Sequence, residues 1–333
     1  MDNRSNGVKN ILTGFIIIVV AAGLTFLGYR SLSRKQVTQS ENPYEYNIDE
    51  FLNIPENLVH YSEMAKIDID LKNLFGLALD SMNRIYVTGD NSVLVLDANG
   101  NVQNSFTIPS AAHCIAVDEN FDIYLGIGNH IEVYDTTGKR LSGWQPPEKN
   151  SYITSIALTA ENVYVADAGK QIVLRYDKTG TLLNRIGDKD EARDIPGFVV
   201  PSPYFDVAVD ADGFIWVVNP GRQSLENYIP NGDLRSFWGT ASMRLEGFSG
   251  CCNPTHLALL PDGSFVTSEK GLERVKVHNR IGEFVSVVAP PKLFTRGTVG
   301  LDLAADAEGL IYVLDPKAGS VRIFQKLNDQ QSS

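Results

Sequence analysis

The sequence predicts an all-β domain, a six-bladed β-propeller preceded by one N-terminal transmembrane helix. Three observations carry this prediction. One strand–turn–strand text recurs six times between residues 77 and 325, and a charge-free apolar run occupies residues 11–29. The 333-residue chain is also 43% hydrophobic and 21% charged, with 28 Gly and 15 Pro, which supplies a core and excludes a disordered or collagen-like chain. Length alone permits one large domain or two modest ones, and the repeat reduces these to a single ring.

Residues 1–10 read as a short tail. Ile11 to Tyr29 holds nineteen residues without a charge, which as a helix at about 1.5 Å per residue spans roughly 28 Å, close to a bilayer core. Eleven of them are Ile, Leu, Val or Phe; at about −0.3 to −0.6 kcal/mol each, they favour insertion by roughly 3–7 kcal/mol. The rival readings are a buried soluble helix and a cleaved signal peptide. The run exceeds the usual apolar length of a signal peptide and no clear small-x-small site follows it, so an uncleaved anchor is expected, with the membrane as partner of residues 11–29.

Arg4 and Lys9 before the run nearly balance Arg30, Arg34 and Lys35 after it, so the flanks do not orient the helix. A short tail, one anchor and a large acidic domain favour a single-pass protein with a periplasmic or otherwise extracytoplasmic propeller. Three cysteines, two of them adjacent, leave the redox compartment open. Residues 30–57, rich in Ser, Gln, Asn and Glu, read as a hydrated tether. The net charge of −11 hides an asymmetry: residues 1–35 carry five bases and one acid, leaving the body at −15. That sign opposes a phosphate backbone, so no nucleic-acid partner is expected.

The ring is assigned to residues 58–326 and a C-terminal tail to 327–333. A first strand and a triplet with an aromatic or β-branched centre recur as LALD (77–80) with IYV (85–87), IAVD (115–118) with IYL (123–125), and IALT (156–159) with VYV (163–165). They return as VAVD (207–210) with IWV (215–217), LALL (257–260) with FVT (265–267), and LAAD (303–306) with IYV (311–313). The triplets lie 38, 40, 52, 50 and 46 residues apart. Third strands such as VLVLD (93–97), Gly-containing turns and fourth strands such as VQNSF (102–106) complete units of the length of a propeller blade. The sixth unit stops near Gln325 after three strands, so MAKIDIDL (64–71), which alternates apolar and polar residues, is expected to supply its outer strand and close the ring.

With apolar-Ala-apolar-Asp, then Ile-Tyr-Val, then a strand ending in Tyr-Asp and a Gly turn, the chain resembles the NHL-repeat family of six-bladed propellers, in particular its membrane-anchored bacterial members. The resemblance covers roughly residues 58–326. It implies the fold, and it leaves function open, because such propellers include binding platforms, sensors and a few lyases or hydrolases. Residues 201–228 and 247–277 look like a bacterial NHL-like subgroup in which the cysteine cluster is often richer. Ser249 departs from that pattern, which weakens a metal-cluster reading.

Two long connections between blades, Gly187–Tyr204 and Gly239–Thr255, are expected side by side on one face. The second carries Cys251-Cys252-Asn253-Pro254, with His256 following. Thiolate and imidazole in close reach suit a metal ion, the cofactor this loop would take, or a redox pair; buried inert thiols are the plainer alternative. His113 resembles in placement the metal-binding histidines of a few NHL-type lyases, and His256 stands one residue nearer its strand. Phe75, Thr154, Phe205 and Leu301 hold the His113-equivalent position elsewhere, so a three-histidine ring is absent.

Arg193, Phe198, Tyr204 and Trp216 offer an aromatic and basic lining for a partner, and Asn253, Glu269 and Lys270 stand with the cysteine loop as ligand contacts, against simple loop packing and a solvated ion pair. The recurrent Asp80, Asp118, Asp210, Asp306, Asp97, Asp135 and Asp177 read as turn caps. No nucleophile elbow, phosphate loop or zinc-protease helix is present, and no catalytic residue is assigned. The expected function is a non-enzymatic binding or scaffold module for a protein or small ligand; the alternative is a metal-dependent or thiol-redox enzyme, or an electron-transfer accessory, using Cys251, Cys252 and His256.

Overall fold

A computed structural model describes residues 48–145 and 148–327. The predicted tail, membrane helix and most of the tether lie outside the described residues, as do residues 328–333. Among the described residues no helix is long and apolar enough to cross a membrane.

Six four-stranded antiparallel sheets form the blades. Blades 1 to 5 span residues 74–107, 114–144, 153–186, 207–238 and 256–289, and blade 6 takes three strands from residues 303–326. Its fourth strand is Tyr61–Asp68, antiparallel to Ser320–Lys326, so the two ends of the ring share one sheet. The closing strand begins three residues earlier than the alternation suggests. Ile67 opposite Val321 and Ala65 opposite Ile323 set the register, and the polar Tyr61–Glu63 end pairs as well because ladder bonds need only backbone.

The repeated aspartates act as expected. Asp80 Oδ1 accepts from the backbone N–H groups of Met82 and Arg84, and Asp118, Asp210 and Asp306 do the same two and four residues on. Asp97, Asp135 and Asp177 close the outer turns in the same way. The aromatic centre of the triplet has a matching purpose: Tyr86 and Tyr312 donate their hydroxyls, and Trp216 its Nε1–H, to the second oxygen of the same aspartates. Between blades the rings interlock, as where Trp216 meets Phe265 edge-on at 4.6 Å and Trp144 lies 5.3 Å from Tyr176.

Candidate functional site

One position per blade falls immediately before the apolar-Ala pair of the innermost strand: Gly76, Cys114, Ser155, Asp206, His256 and Asp302. Three of these side chains latch a blade to its successor. Val207 N–H donates to Ser155 Oγ at 3.3 Å, Leu257 N–H to Asp206 Oδ2 at 2.7 Å, and Leu77 N–H to Asp302 Oδ2 at 2.8 Å. Gly76 packs closely against blade 2, where a Cβ would lie 3.1 Å from the backbone of Cys114.

His256 stands between the two acids. Its Nδ1 lies 3.3 Å from Asp302 Oδ1 and 3.7 Å from Asp206 Oδ2, and its side chain is only 12% exposed. Burial works against a charged imidazole, yet the hydrogen bond to Asp302 and the charges of Asp302 and Asp206 outweigh it and raise the His256 pKa. Burial also pushes Asp206 up to about 6, with the His256 charge opposing and Asp302 reinforcing. Cys114 belongs to the same wall, its thiol raised by burial and by Asp302. The Nε2 atom of His256 is buried without a hydrogen-bond partner among the described residues.

His256 borders a cleft of about 290 Å³ to which all six blades or their entry loops contribute, among them Phe75, His113, Tyr152, Tyr204 and Gly300. A cavity lined from every blade lies on the propeller axis, at one mouth of the channel. Its walls are aromatic: His113 packs edge-on to Phe75 at 4.9 Å and beside Tyr152 at 5.2 Å, and Tyr204 meets His256 edge-on at 5.8 Å. Burial lowers the His113 pKa, which favours the neutral form of this second imidazole. A wider groove of about 660 Å³ runs from Arg185 to Gly232, but its charges satisfy one another, Arg185 pairing with Asp188 and Arg193 with Asp233.

The structure therefore gathers some of the expected residues and separates others. His113, Tyr204 and His256 line the cleft. Lys270 flanks it, with Nζ 4.9 Å from the Tyr204 ring centre and donating to Ser202 Oγ at 3.0 Å. Asn253 is buried, donating to the Ser249 and Lys270 carbonyls and accepting the Lys270 N–H, so it fixes the loop. Glu269 is 1% exposed and pairs with Arg274 at 2.8 Å and Lys276 at 2.7 Å, turned into blade 5. Arg193 reaches the outer turn of blade 4, Phe198 packs on Phe205 and Tyr228, and Trp216 serves the Asp210 turn.

Cys251 and Cys252 are free, with Sγ atoms 3.2 Å apart. Cys252 contacts Ser202 and lies near Lys270; Lys270 and Tyr204 in turn lead to His256. Among the described residues the one group of three or more His, Cys, Asp or Glu whose ligand atoms converge is Asp206, His256 and Asp302, within 4.8 Å of one another; neither Cys251, Cys252 nor His113 joins it. These are the residues that could hold a cation. Asp206 Oδ2 and Asp302 Oδ1, the oxygens nearest the imidazole, already accept backbone N–H groups. With the proton affinity of His256 raised, the arrangement favours an imidazolium clasped by carboxylates over a metal chelate.

The acids and His256 of this ring were readable in the six aligned copies, where the column one place nearer the strand holds Gly, Cys, Ser, Asp, His and Asp. Of these, His256 is among the residues expected from the sequence, whereas Asp206 and Asp302 are not.

No family model matches the chain, and no curated protein matches its sequence. Solved structures match the fold. A protein of unknown function from Bacteroides thetaiotaomicron aligns with a TM-score of 0.59 at 16% identity, covering 79% of this chain and 71% of that one. Streptogramin B lyase aligns with a TM-score of 0.56 at 12% identity over 80% of this chain and 98% of its own. A catalytically inactive histidine-to-alanine variant of virginiamycin B lyase from Staphylococcus aureus, with quinupristin, gives 0.55 at 12% identity, covering 80% and 100%. At these identities the likeness establishes the propeller fold.

Proposed function

We propose that the chain is a small-molecule-binding propeller whose ligand enters the axial cleft and accepts a hydrogen bond from His256. The unpartnered Nε2 carries this reading: a buried polar group left unpaired costs about 1–3 kcal/mol, which a ligand carbonyl or carboxylate would recover. The walls of Phe75, Tyr152 and Tyr204 suit an apolar or aromatic body on the same ligand. A thermal-shift panel of small carboxylates, amides and lactones tests it. Compounds that stabilise the wild type should lose their effect in His256→Gln and Tyr204→Ala and keep it in Arg193→Ala; equal stabilisation of all four proteins defeats the proposal.

A second reading, proton-transfer catalysis, is favoured by the carboxylates on Nδ1 and the unpartnered Nε2, the arrangement that orients a histidine as general acid or base. The virginiamycin B lyase variant lends it a precedent in fold and residue type. Turnover of a panel compound, abolished in His256→Gln, would select it over simple binding.

The NHL assignment rests on the repeated Asp and Tyr text. The uncharged run at 11–29 supports a single-pass anchor with the propeller outside the cytoplasm. A C-terminal reporter active only after export should be active, and silence from a well-expressed fusion would reverse that placement.

A further inference from the structure

The vicinal cysteines have a setting of their own. Cys251 is exposed and Cys252 half-buried, at the tip of the connection into blade 5. Both flanks of the pair are pinned. Ser249 donates its N–H and hydroxyl to the buried Glu269 carboxylate, Gln223 donates to the Gly250 carbonyl at 2.9 Å, and Asn253 exchanges bonds with the backbone of Lys270. The hydrogen bonds on either side hold the loop where the two sulfurs already lie 3.2 Å apart. Lys270 adds a cation beside Cys252, while Ser202 contacts its sulfur.

We propose that Cys251 and Cys252 form a thiol–disulfide exchange site for small-molecule disulfides. The Cys251 thiolate attacks one sulfur of the incoming disulfide, forming a mixed disulfide and expelling the other half as a thiolate. The Cys252 thiolate then attacks the Cys251 sulfur and expels the second half. The pair loses two electrons and two protons, and the incoming disulfide leaves as two thiols.

Exposure makes Cys251 the residue a disulfide can reach, and proximity makes Cys252 the resolving thiol. Burial and the neighbouring thiol raise the Cys252 pKa, while Lys270 and Ser202 oppose that rise. Adjacent α-carbons stand about 3.8 Å apart, shorter than the ~4.4–6.8 Å of ordinary disulfides. The closed form is therefore strained and readily reduced, which suits a reversible site. Cys114, buried in the channel wall, takes no part and serves as an internal control.

The test treats the full-length protein with oxidised glutathione, alkylates the remaining thiols and reads intact and peptide masses. The expected product has lost two hydrogens, has Cys251 and Cys252 joined and refractory to alkylation, and carries no glutathione; reduced glutathione restores both thiols. In Cys252→Ser a glutathione adduct should accumulate on Cys251, and in Lys270→Met closure of the pair should be several-fold slower. Two separate glutathione adducts on the wild type, or two thiols still alkylated after a large excess of the oxidant, overturn the proposal. The wild-type mass change decides even where a variant fails to fold.

Discussion

His256 is the residue on which the cleft turns, and its behaviour depends on a proton. Its pKa is raised above the ordinary 6.5, so the imidazolium persists to higher pH than in the unfolded chain. The stabilisation it gives is complete below pH 6.5 and is lost as pH rises through the folded value. Affinity for a hydrogen-bond acceptor should fall over the same alkaline window, and in Asp302→Asn, which removes the leading favourable partner, the fall should move to lower pH. Calorimetric titration across pH checks this; an unchanged midpoint in Asp302→Asn would separate the acid from the imidazole. The turn aspartates were legible because Asp80 and its counterparts repeat at one position, and repetition marks folding. Asp206 and Asp302 share an alignable column, but it holds four other residue types, so no repeated residue marks it and the geometry is what shows the three side chains converging.

At the scale of elements, the connection into blade 5 is held from beneath by buried charge. Arg274 donates to the Met243 and Arg244 carbonyls and Lys276 to those of Leu245 and Gly247, while the single Glu269 carboxylate pairs with both cations. Side by side in the sequence, Glu269 and Lys270 suggested a surface pair. Glu269 instead closes its strand facing Arg274, and Lys270 leaves toward Tyr204, so alternation divides the two. Glu269→Gln strands two buried cations and should cost about 3–5 kcal/mol in denaturant unfolding. Burial alone would raise the Glu269 pKa, but Lys276 and Arg274 bring it from 4.5 down to about 2. The stability it contributes is present above pH 4.5 and is lost as pH falls toward 2, an acid transition that should be blunted in Glu269→Gln.

For the whole molecule, the decisive contact is the closing strand. Tyr61–Asp68 binds Ser320–Lys326, and Arg322 reinforces the pairing through Glu63, 259 positions away in the sequence, at 3.0 Å. The expected span of 64–71 found this strand because alternation and the incomplete sixth unit pointed to one segment; its start eluded the pattern because Tyr61 and Ser62 pair through backbone. Deleting residues 61–68 exposes the edge of blade 6 and should yield aggregated or unfolded protein by size-exclusion chromatography, whereas deleting residues 36–46 should leave the elution and melting temperature of the ring unchanged. Equal tolerance of both deletions would refute the closure.

Closure also brings Asp302 of blade 6 against Leu77 of blade 1 and so completes the wall that faces His256. The most direct test of the account is a crystal structure with a compound from the stabilising panel. It should lie among Phe75, Tyr152 and Tyr204 with an acceptor atom within hydrogen-bond distance of His256 Nε2. A compound bound in the groove between Arg185 and Gly232, or seated in the cleft with Nε2 untouched, would contradict it.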